Sequence, residues 1–178
     1  MKTKLYIILC IFGYCFLSAS IYAQDNDRLV RFKAVFVYNF IDFIQWPETD
    51  AKSPFKIGII GQSPLEVPLQ EIARKTDIAG RNIQVKTYDI DGNFGENHLI
   101  FITASQIANL DTISAQTKNK HILTIADTPG LAKQGIAINF VLINDKLRFE
   151  INQQALQKAQ LKASAQLLKL AILVDENQ

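Results

Sequence analysis

The sequence predicts a single α/β domain built on a mainly parallel sheet of about six strands, with helices on both faces. Short apolar segments alternate with segments of helical period along the chain. Several of the apolar segments are hydrophobic throughout, which is typical of parallel strands buried on both faces. The chain contains no internal repeat, low-complexity run or linker, so no position suggests a division into two domains.

Residues 1–23 have the pattern of a secretory signal peptide. Lys2 and Lys4 precede an apolar run, and small residues up to Ala23 suit cleavage at that position. We therefore expect an exported protein whose single domain spans residues 24–178. An uncleaved membrane anchor is the less favoured alternative, because the run is shorter than the roughly 20 apolar residues that cross a bilayer.

Removal of the signal peptide changes the charge and the cysteine content of the chain. The whole sequence has 19 basic and 17 acidic residues; residues 1–23 contain two lysines and no acid, so 17 of each sign remain. A domain of zero net charge has no overall positive field that would attract nucleic acid. Both cysteines also lie in residues 1–23, which excludes disulfides and thiolate metal sites from the mature domain.

The first predicted helix, residues 28–45, has a wide apolar arc. The arc exceeds the ~100° stripe of an ordinary surface helix, so the helix is either deeply buried or meets a second surface besides its own core. Pro47 ends the helix, and Lys33 within the arc is expected to extend to solvent or to pair with an acid. The candidate partner-binding or self-association residues here are Phe36, Phe40, Phe43 and Trp46. A lone Trp beside proline is more often a packing residue.

The remaining segments predict the other strands and helices. Strands are expected at residues 55–61, 81–88, 98–103, 121–126, 135–144 and 146–152, and helices at residues 64–75, 106–116 and from 153 onward. Asn144-Asp145 indicates a tight hairpin turn between the last two strands. The tail helix is expected to break near residues 161–164, where Ser164 caps a second helix. That helix should carry one apolar stripe of Leu167, Leu170, Ala171 and Val174.

We find no recognisable catalytic, metal-binding or cofactor-binding motif. There is no P-loop, and Gly58 and Gly61 alone are a weak sign of a dinucleotide-binding turn. His98 and His121 have no His or Glu at a metal-chelating spacing, and the loop around Asp91 has too few carboxylates for calcium. We therefore predict neither an enzyme nor a cofactor.

Two other functions stay open at this point. A binder of a small molecule or cell-wall fragment would use a crevice at the carboxyl ends of the strands, near Gly61 and Asp127. A hydrolase would need a nucleophile and a base that converge, and its only candidates are His98 and His121.

The last predicted strand carries polar residues on one face. Arg148 and Glu150 are two residues apart, so they project together, while Phe149 and Ile151 project to the other side. This polar face is either simply solvated or a contact with a partner. We include Arg148 and Glu150, together with Asn152 at the end of the strand, among the candidate partner-binding residues.

An ordered set of segments resembles the YfiR family of exported bacterial proteins. The first helix and its Trp-Pro ending resemble the opening of that family, and the last strand and tail resemble its closing block. The similar segments are, in chain order, residues 33–47, 55–61, 122–127, 135–140, 148–152 and 161–171. Gln134-Gly135 departs from a glycine pair common in the family. The mature domain also lacks the cysteines of the best-known member, so control by a disulfide is not carried over.

The resemblance implies a periplasmic α/β domain that is often dimeric. The best-known member represses an inner-membrane diguanylate cyclase by binding its periplasmic domain, an outer-membrane partner relieves the repression, and related domains are joined to sensor kinases. We therefore expect a regulatory protein that inhibits a membrane-bound signalling enzyme, a diguanylate cyclase or sensor kinase, by protein–protein contact. The expected partners are that enzyme, an outer-membrane or cell-wall-linked protein and a second copy of the chain.

Overall fold

The structure, a computed structural model, describes residues 26–47 and 53–175. The predicted signal peptide, residues 1–23, lies outside the described residues. Within the described ranges, no helix combines the length and the apolar character that crossing a membrane requires.

The centre of the fold is a mixed sheet. The strands of the described residues are β1 (Ile44–Gln45), β2 (Phe55–Ile60), β3 (Asp77–Ile78), β4 (Arg81–Tyr88), β5 (Leu99–Ile102), β6 (Leu123–Ala126), β7 (Ile138–Ile143), β8 (Lys146–Asn152), β9 (Lys162–Ala163) and β10 (Ile172–Val174). Eight of them form one sheet in the order β10-β8-β7-β6-β5-β2-β4-β3, and β1 pairs separately with β9. The neighbouring strands β7, β6, β5, β2 and β4 run parallel, whereas β3 and β8 are antiparallel to β4 and β7. The α/β class is confirmed, but the sheet has more strands than expected and is less uniformly parallel.

Tight turns produce the antiparallel pairs. Asn144 and Asp145 have φ values of 49° and 58°, as a two-residue hairpin turn matched to the strand twist requires, so the predicted hairpin is confirmed. Ala79 and Gly80, with φ values of 51° and 79°, make a similar turn between β3 and β4. A two-residue turn joins only antiparallel strands, which explains why both pairs depart from the parallel centre.

The described residues contain five α-helices. They are α1 (residues 26–43), α2 (Glu66–Ala73), α3 (Leu110–Thr117), α4 (Gln153–Lys158) and α5 (Ala165–Leu170). A 3₁₀ helix, Ala104–Asn109, leads into α3, and another, Ala132–Gln134, precedes β7. The side chains of Asn152 and Ser164 accept N–H groups of the first turns of α4 and α5, so Ser164 caps the second tail helix as predicted.

The C-terminal segment departs from the predicted helical stripe. α5 ends at Leu170, and Ile172–Val174 forms β10, which pairs in parallel with Glu150–Asn152 of β8. The predicted stripe that continued to Ala171 and Val174 is therefore wrong. The edge of β8 offers main-chain N–H and C=O groups, and β-branched residues suit a strand, so sheet pairing overrides the local period.

The sheet separates two apolar clusters. We call the side that carries Ile57, Leu99 and Phe140 the first face; its cluster holds 25 buried residues, including residues of α1, α2, α4 and α5. On the second face, nine buried residues, among them Ile100 and Phe94, pack with α3. Helices therefore lie on both faces, but they cover the first face far more completely.

Candidate functional site

Phe36 and Phe40 of α1 occupy different environments. Phe40 is 1% exposed in the first-face core, and its ring centroid lies 5.7 Å from that of Phe140 and 5.0 Å from that of Phe149. Phe36 is half-buried at the margin of the same cluster, 6.2 Å from Phe140 and 6.0 Å from Phe149 between centroids. Phe40 therefore stabilises the fold from inside, whereas the ring of Phe36 reaches the surface.

Phe43 and Trp46 lie at the other end of the first helix, near the amino end of β2. The Trp46 ring meets Phe55 edge-on with centroids 5.4 Å apart, and its buried Nε1 has no hydrogen-bond partner among the described residues. Phe43 packs against the first-face core, and its carbonyl accepts a hydrogen bond from the N–H of Ser164. Phe43 lies about two helical turns from Phe36 on α1, and Trp46 follows β1 beyond the end of the helix.

The polar residues of β8 also differ in their surroundings. Arg148 is exposed, and Glu150 accepts a hydrogen bond of 3.0 Å from a buried asparagine of β7. Asn152 is fully buried: its Nδ2 donates to the Ala132 carbonyl at 2.7 Å, and its Oδ1 accepts the N–H of Ala155 at 2.9 Å. Asn152 therefore fixes the junction between β8 and α4, and Arg148 is the member of the group that faces solvent.

A surface with an apolar centre lies where α1, β8 and α5 meet. A crevice of about 280 Å³ there is lined by Phe36, Leu147, Arg148, Phe149, Lys169 and Leu170. Phe32, one helical turn before Phe36 on the same side of α1, is 53% exposed, and Leu170 is 59% exposed. We define the α1–α5 surface as Phe32, Phe36, Leu147 and Leu170, with Arg148 and Lys169 at its margin. Grouped exposed apolar residues with a polar margin are typical of interaction sites.

The charge at the margin of the α1–α5 surface is positive. Arg148 and Lys169 are exposed, and neither forms an ion pair in the described part of the chain. Among the described residues that line the crevice, none is acidic. The arrangement suits an apolar anchor side chain flanked by carboxylates.

The sequence identified part of this surface. Phe36 and Arg148 were candidates, but Phe32, Leu147 and Leu170 were not. The wide apolar arc of the first helix was a signal for Phe32, because the core covers only part of that arc. The exposure of Leu170 had no local signal, since it depends on α5 ending there and the chain turning into β10.

An ion pair occupies the carboxyl end of β6. Lys33 Nζ lies 2.7 Å from Asp127 Oδ2, and the two side chains are 15% and 25% exposed. Lys33 thus pairs with an acid, which is one of its two expected outcomes.

Gly61, with a φ of 86°, packs against the side chain of Thr103. The groups expected to bind a small molecule near Gly61 and Asp127 therefore contact protein, and crevices of about 390, 440 and 850 Å³ lie elsewhere in the described residues.

The two histidines are held by structural contacts. The N–H of Lys56 donates to His98 Nδ1 at 3.0 Å, and Arg81 Nη2 lies 3.0 Å from His98 Nε2. Burial, with the positive charges of Arg81 and Lys56, lowers the pKa of His98 to about 4. His121 Nδ1 lies 3.2 Å from the Ala159 carbonyl oxygen. Within residues 26–47 and 53–175, neither ring bonds to a hydroxyl, so the hydrolase hypothesis gains no support.

Comparison with known proteins identifies the family. A search among curated proteins found no match to the chain. A family model described as YfiR/HmsC-like matches residues 30–172, and proteins of this family are periplasmic and regulatory rather than catalytic. Because the match runs from the first core residue of α1 to the start of β10, well over half of the sequence, this chain belongs to the YfiR/HmsC-like family.

Proposed function

We propose that this protein is a periplasmic regulatory binding protein that inhibits a membrane-bound signalling enzyme by protein–protein contact. The enzyme is a diguanylate cyclase or a sensor kinase of the inner membrane, and residues 1–23 direct export as a cleaved signal peptide. Membership of the YfiR/HmsC-like family is the observation that carries the proposal. An outer-membrane or cell-wall-linked partner relieves the inhibition by competing for the protein.

The α1–α5 surface is the proposed contact with the enzyme. Its exposed apolar side chains gain free energy when a partner removes them from water, at about 25 cal/mol per Å². Its crevice has room for one anchoring side chain, and buried anchors of this kind dominate the affinity of many interfaces. The positive margin of Arg148 and Lys169 favours a partner with acidic residues and speeds association.

The other candidate residues have different places in this proposal. Phe40 and Asn152 act indirectly, because they are buried and hold α1 and β8 in position. Phe43 and Trp46 lie outside the α1–α5 surface and are proposed as a second, smaller contact. Glu150, on the opposite face of β8 from Phe149, is proposed as a separate polar contact.

Deletion of the gene, followed by measurement of intracellular cyclic-di-GMP, tests the proposal. Deletion should raise cyclic-di-GMP, and expression of the wild-type protein should restore the original level. The double variant Phe32→Asp, Leu170→Asp should fail to restore it, because burying two carboxylates in an apolar contact is unfavourable. Immunodetection in periplasmic extracts and circular dichroism check that the variant is exported and folded.

Val67→Asp is the matched control for this experiment. Val67 is 60% exposed on α2, outside the α1–α5 surface, so its substitution should leave repression intact. If the Phe32→Asp, Leu170→Asp variant represses as well as the wild type, the α1–α5 surface is not the contact. If deletion changes neither cyclic-di-GMP nor the output of any sensor kinase, the regulatory function itself is wrong.

A second copy of the chain is the competing occupant of the α1–α5 surface. We propose that the isolated protein forms a homodimer, and sedimentation equilibrium measures its state. A Phe32→Asp, Leu170→Asp variant that becomes monomeric would show that the dimer and the enzyme share this surface. A variant that remains dimeric but no longer represses would assign the surface to the enzyme alone.

A further inference from the structure

A continuous groove runs between α3 and α4. Two crevices of about 390 and 440 Å³ share the lining residues Ser114, Thr117, Thr124, Gly135 and Lys158, so they form one space. α3 supplies one wall, α4 and the turn before β7 supply the other, and Thr124 comes from β6 between them. Spaces of this size are typical of small-molecule sites.

Every charged side chain that lines this groove among the described residues is a lysine. Lys118, Lys133 and Lys158 line it, and we call it the lysine groove. Lys118 and Lys133 form no ion pair in the part of the chain that the structure describes. Residues 24–178 contain equal numbers of basic and acidic residues, so the two unpaired lysines, Lys118 and Lys133, are a local excess of positive charge. Charge of one sign in a cleft concentrates ligands of the opposite sign.

The lysine groove also offers hydrogen-bond donors and an apolar wall. The Thr124 hydroxyl oxygen accepts the N–H of Ala137 at 2.9 Å, which leaves its hydrogen available to a ligand oxygen. The Ser114 hydroxyl on α3 has no hydrogen bond to the described residues. Leu110 and Ile136 line one end of the groove. The lysine groove is therefore complementary to a ligand that carries both charged oxygens and an apolar group.

We propose that the lysine groove binds a small organic anion that carries a phosphate or a carboxylate and an apolar portion. The anionic group lies against the lysines and the hydroxyls of Ser114 and Thr124, which can donate to either kind of oxygen. The apolar portion lies against Leu110 and Ile136. This inference is independent of the proposed regulatory function, because it concerns binding by the isolated protein.

Titration of the ¹⁵N-labelled purified protein at low ionic strength tests the inference. Phenyl phosphate and phenylacetate, added to millimolar concentrations, should shift the amide signals of Ser114 and Gly135. Inorganic phosphate, which lacks the ring, should bind more weakly, and benzyltrimethylammonium, which has the ring but a positive charge, should not shift these signals. The double variant Lys118→Gln, Lys133→Gln should weaken phenyl phosphate binding roughly tenfold, because two nearby charges are lost.

Two further variants separate the groove from general charge effects. The pair Lys75→Gln, Lys146→Gln removes the same charge from exposed positions outside the lysine groove and should leave binding unchanged. Ser114→Leu fills the groove without changing charge and should abolish the signal shifts. The inference is overturned if neither aromatic anion shifts the groove amides, if inorganic phosphate or benzyltrimethylammonium binds as tightly as phenyl phosphate, or if the control pair weakens binding as much as Lys118→Gln, Lys133→Gln.

Discussion

On the first face of the sheet, 25 buried residues pack with four helices, whereas on the second face nine pack with α3 and a loop. The first face contains a cluster of phenylalanine rings from α1, β7 and β8, while the second has the single buried phenylalanine Phe94 among aliphatic residues. Buried apolar area is the main source of stability, so the first face supplies most of it. The thinner covering of the second face leaves room for a groove.

The same difference assigns the two proposed contacts to different parts of the fold. The α1–α5 surface is the outer side of helices that close the first face, so a densely packed core holds it in one shape. A preorganised surface loses little conformational entropy when a partner binds. The lysine groove lies instead between α3, which packs on the second face, and α4, which contributes Ala155 to the first-face cluster. A large protein partner and a small ligand would therefore meet different elements of the chain.

The largest expected effect on stability comes from removing one ring of the aromatic cluster. Phe40→Ala should lower the free energy of unfolding by about 4–5 kcal/mol, because it removes a fully buried ring that contacts three others. Phe94→Ala on the second face should cost less, about 3 kcal/mol, since its smaller cluster can relax around the cavity. Urea denaturation followed by circular dichroism measures both values.

The control for this pair is Phe32→Ala, which removes the same ring from a position that is 53% exposed. Its effect should be about 0.5 kcal/mol or less, as for most surface substitutions. Equal losses for Phe40→Ala and Phe94→Ala would contradict the view that the first face dominates stability. A large loss for Phe32→Ala would mean that this side chain is buried in solution, as in a dimer.

The next effect concerns Asn152, which ties the turn before β7 to β8 and α4. Asn152→Ala should lower the free energy of unfolding by roughly 2–3 kcal/mol, because it removes the cap of α4 and leaves the buried Ala132 carbonyl without its donor. Hydrogen exchange should accelerate at Ala155 and in the turn that borders the lysine groove. Gln153→Ala, at the adjacent exposed position, is the control and should have little effect. A loss no larger than that of a simple cap would contradict a role for the Ala132 contact.

The strands of the parallel centre were predictable, and the shortest strands were not. Leu99–Ile102 is buried at every position, so its sequence is a continuous apolar run that indicates a central strand. Two-residue strands such as Asp77–Ile78 are too short to show a period, and Ile172–Val174 follows a helical pattern until sheet pairing overrides it. Local period therefore predicted the centre of the sheet, while tertiary contacts decided its edges.

The candidate sites were less predictable than the fold. A helical wheel gives the direction of Phe36 and Phe40 but not what each ring meets, so it could not separate a surface ring from a core ring. The lysine groove had no sequence signal, because Lys118, Lys133 and Lys158 come from three separate segments that only the folded chain brings together. Sites assembled from distant segments need the topology before their residues can be recognised.

Acid should weaken the first face through His98, whose ring stacks on the core residue Phe55 with centroids 4.6 Å apart. The pKa of His98 is lowered from 6.5 to about 4 on folding, so between these pH values the unfolded chain binds a proton that the folded chain does not. Stability should therefore fall by roughly 2 kcal/mol as pH decreases through this window, less than the full linkage of about 1.4 kcal/mol per pKa unit because solvent screens the half-buried ring. This group should have no effect above the window.

The test of His98 is a comparison of two histidine variants by urea denaturation at several pH values. His98→Gln should flatten the fall in unfolding free energy between pH 6.5 and about 4. His121→Gln removes a histidine held by one carbonyl contact and is the comparison variant. If the unfolding free energy of His98→Gln still falls over this pH range, groups other than His98 cause the acid sensitivity. The contacts of His98 then do not make the first face sensitive to acid.

The smallest expected effect is at the cap of α5, the helix that presents Leu170 to the α1–α5 surface. Ser164→Ala should lower the free energy of unfolding by about 1 kcal/mol, because it removes the Oγ that accepts the N–H of Leu167 at 3.2 Å. The N–H of residue 164 still donates to the Phe43 carbonyl in this variant. Ser164→Asp keeps an acceptor and should recover most of the loss. Faster hydrogen exchange in α5, with unchanged exchange in α3, would locate the effect on the first face. Equal acceleration in both helices would show instead that the two faces unfold as one unit and that the difference in their packing does not divide their stability.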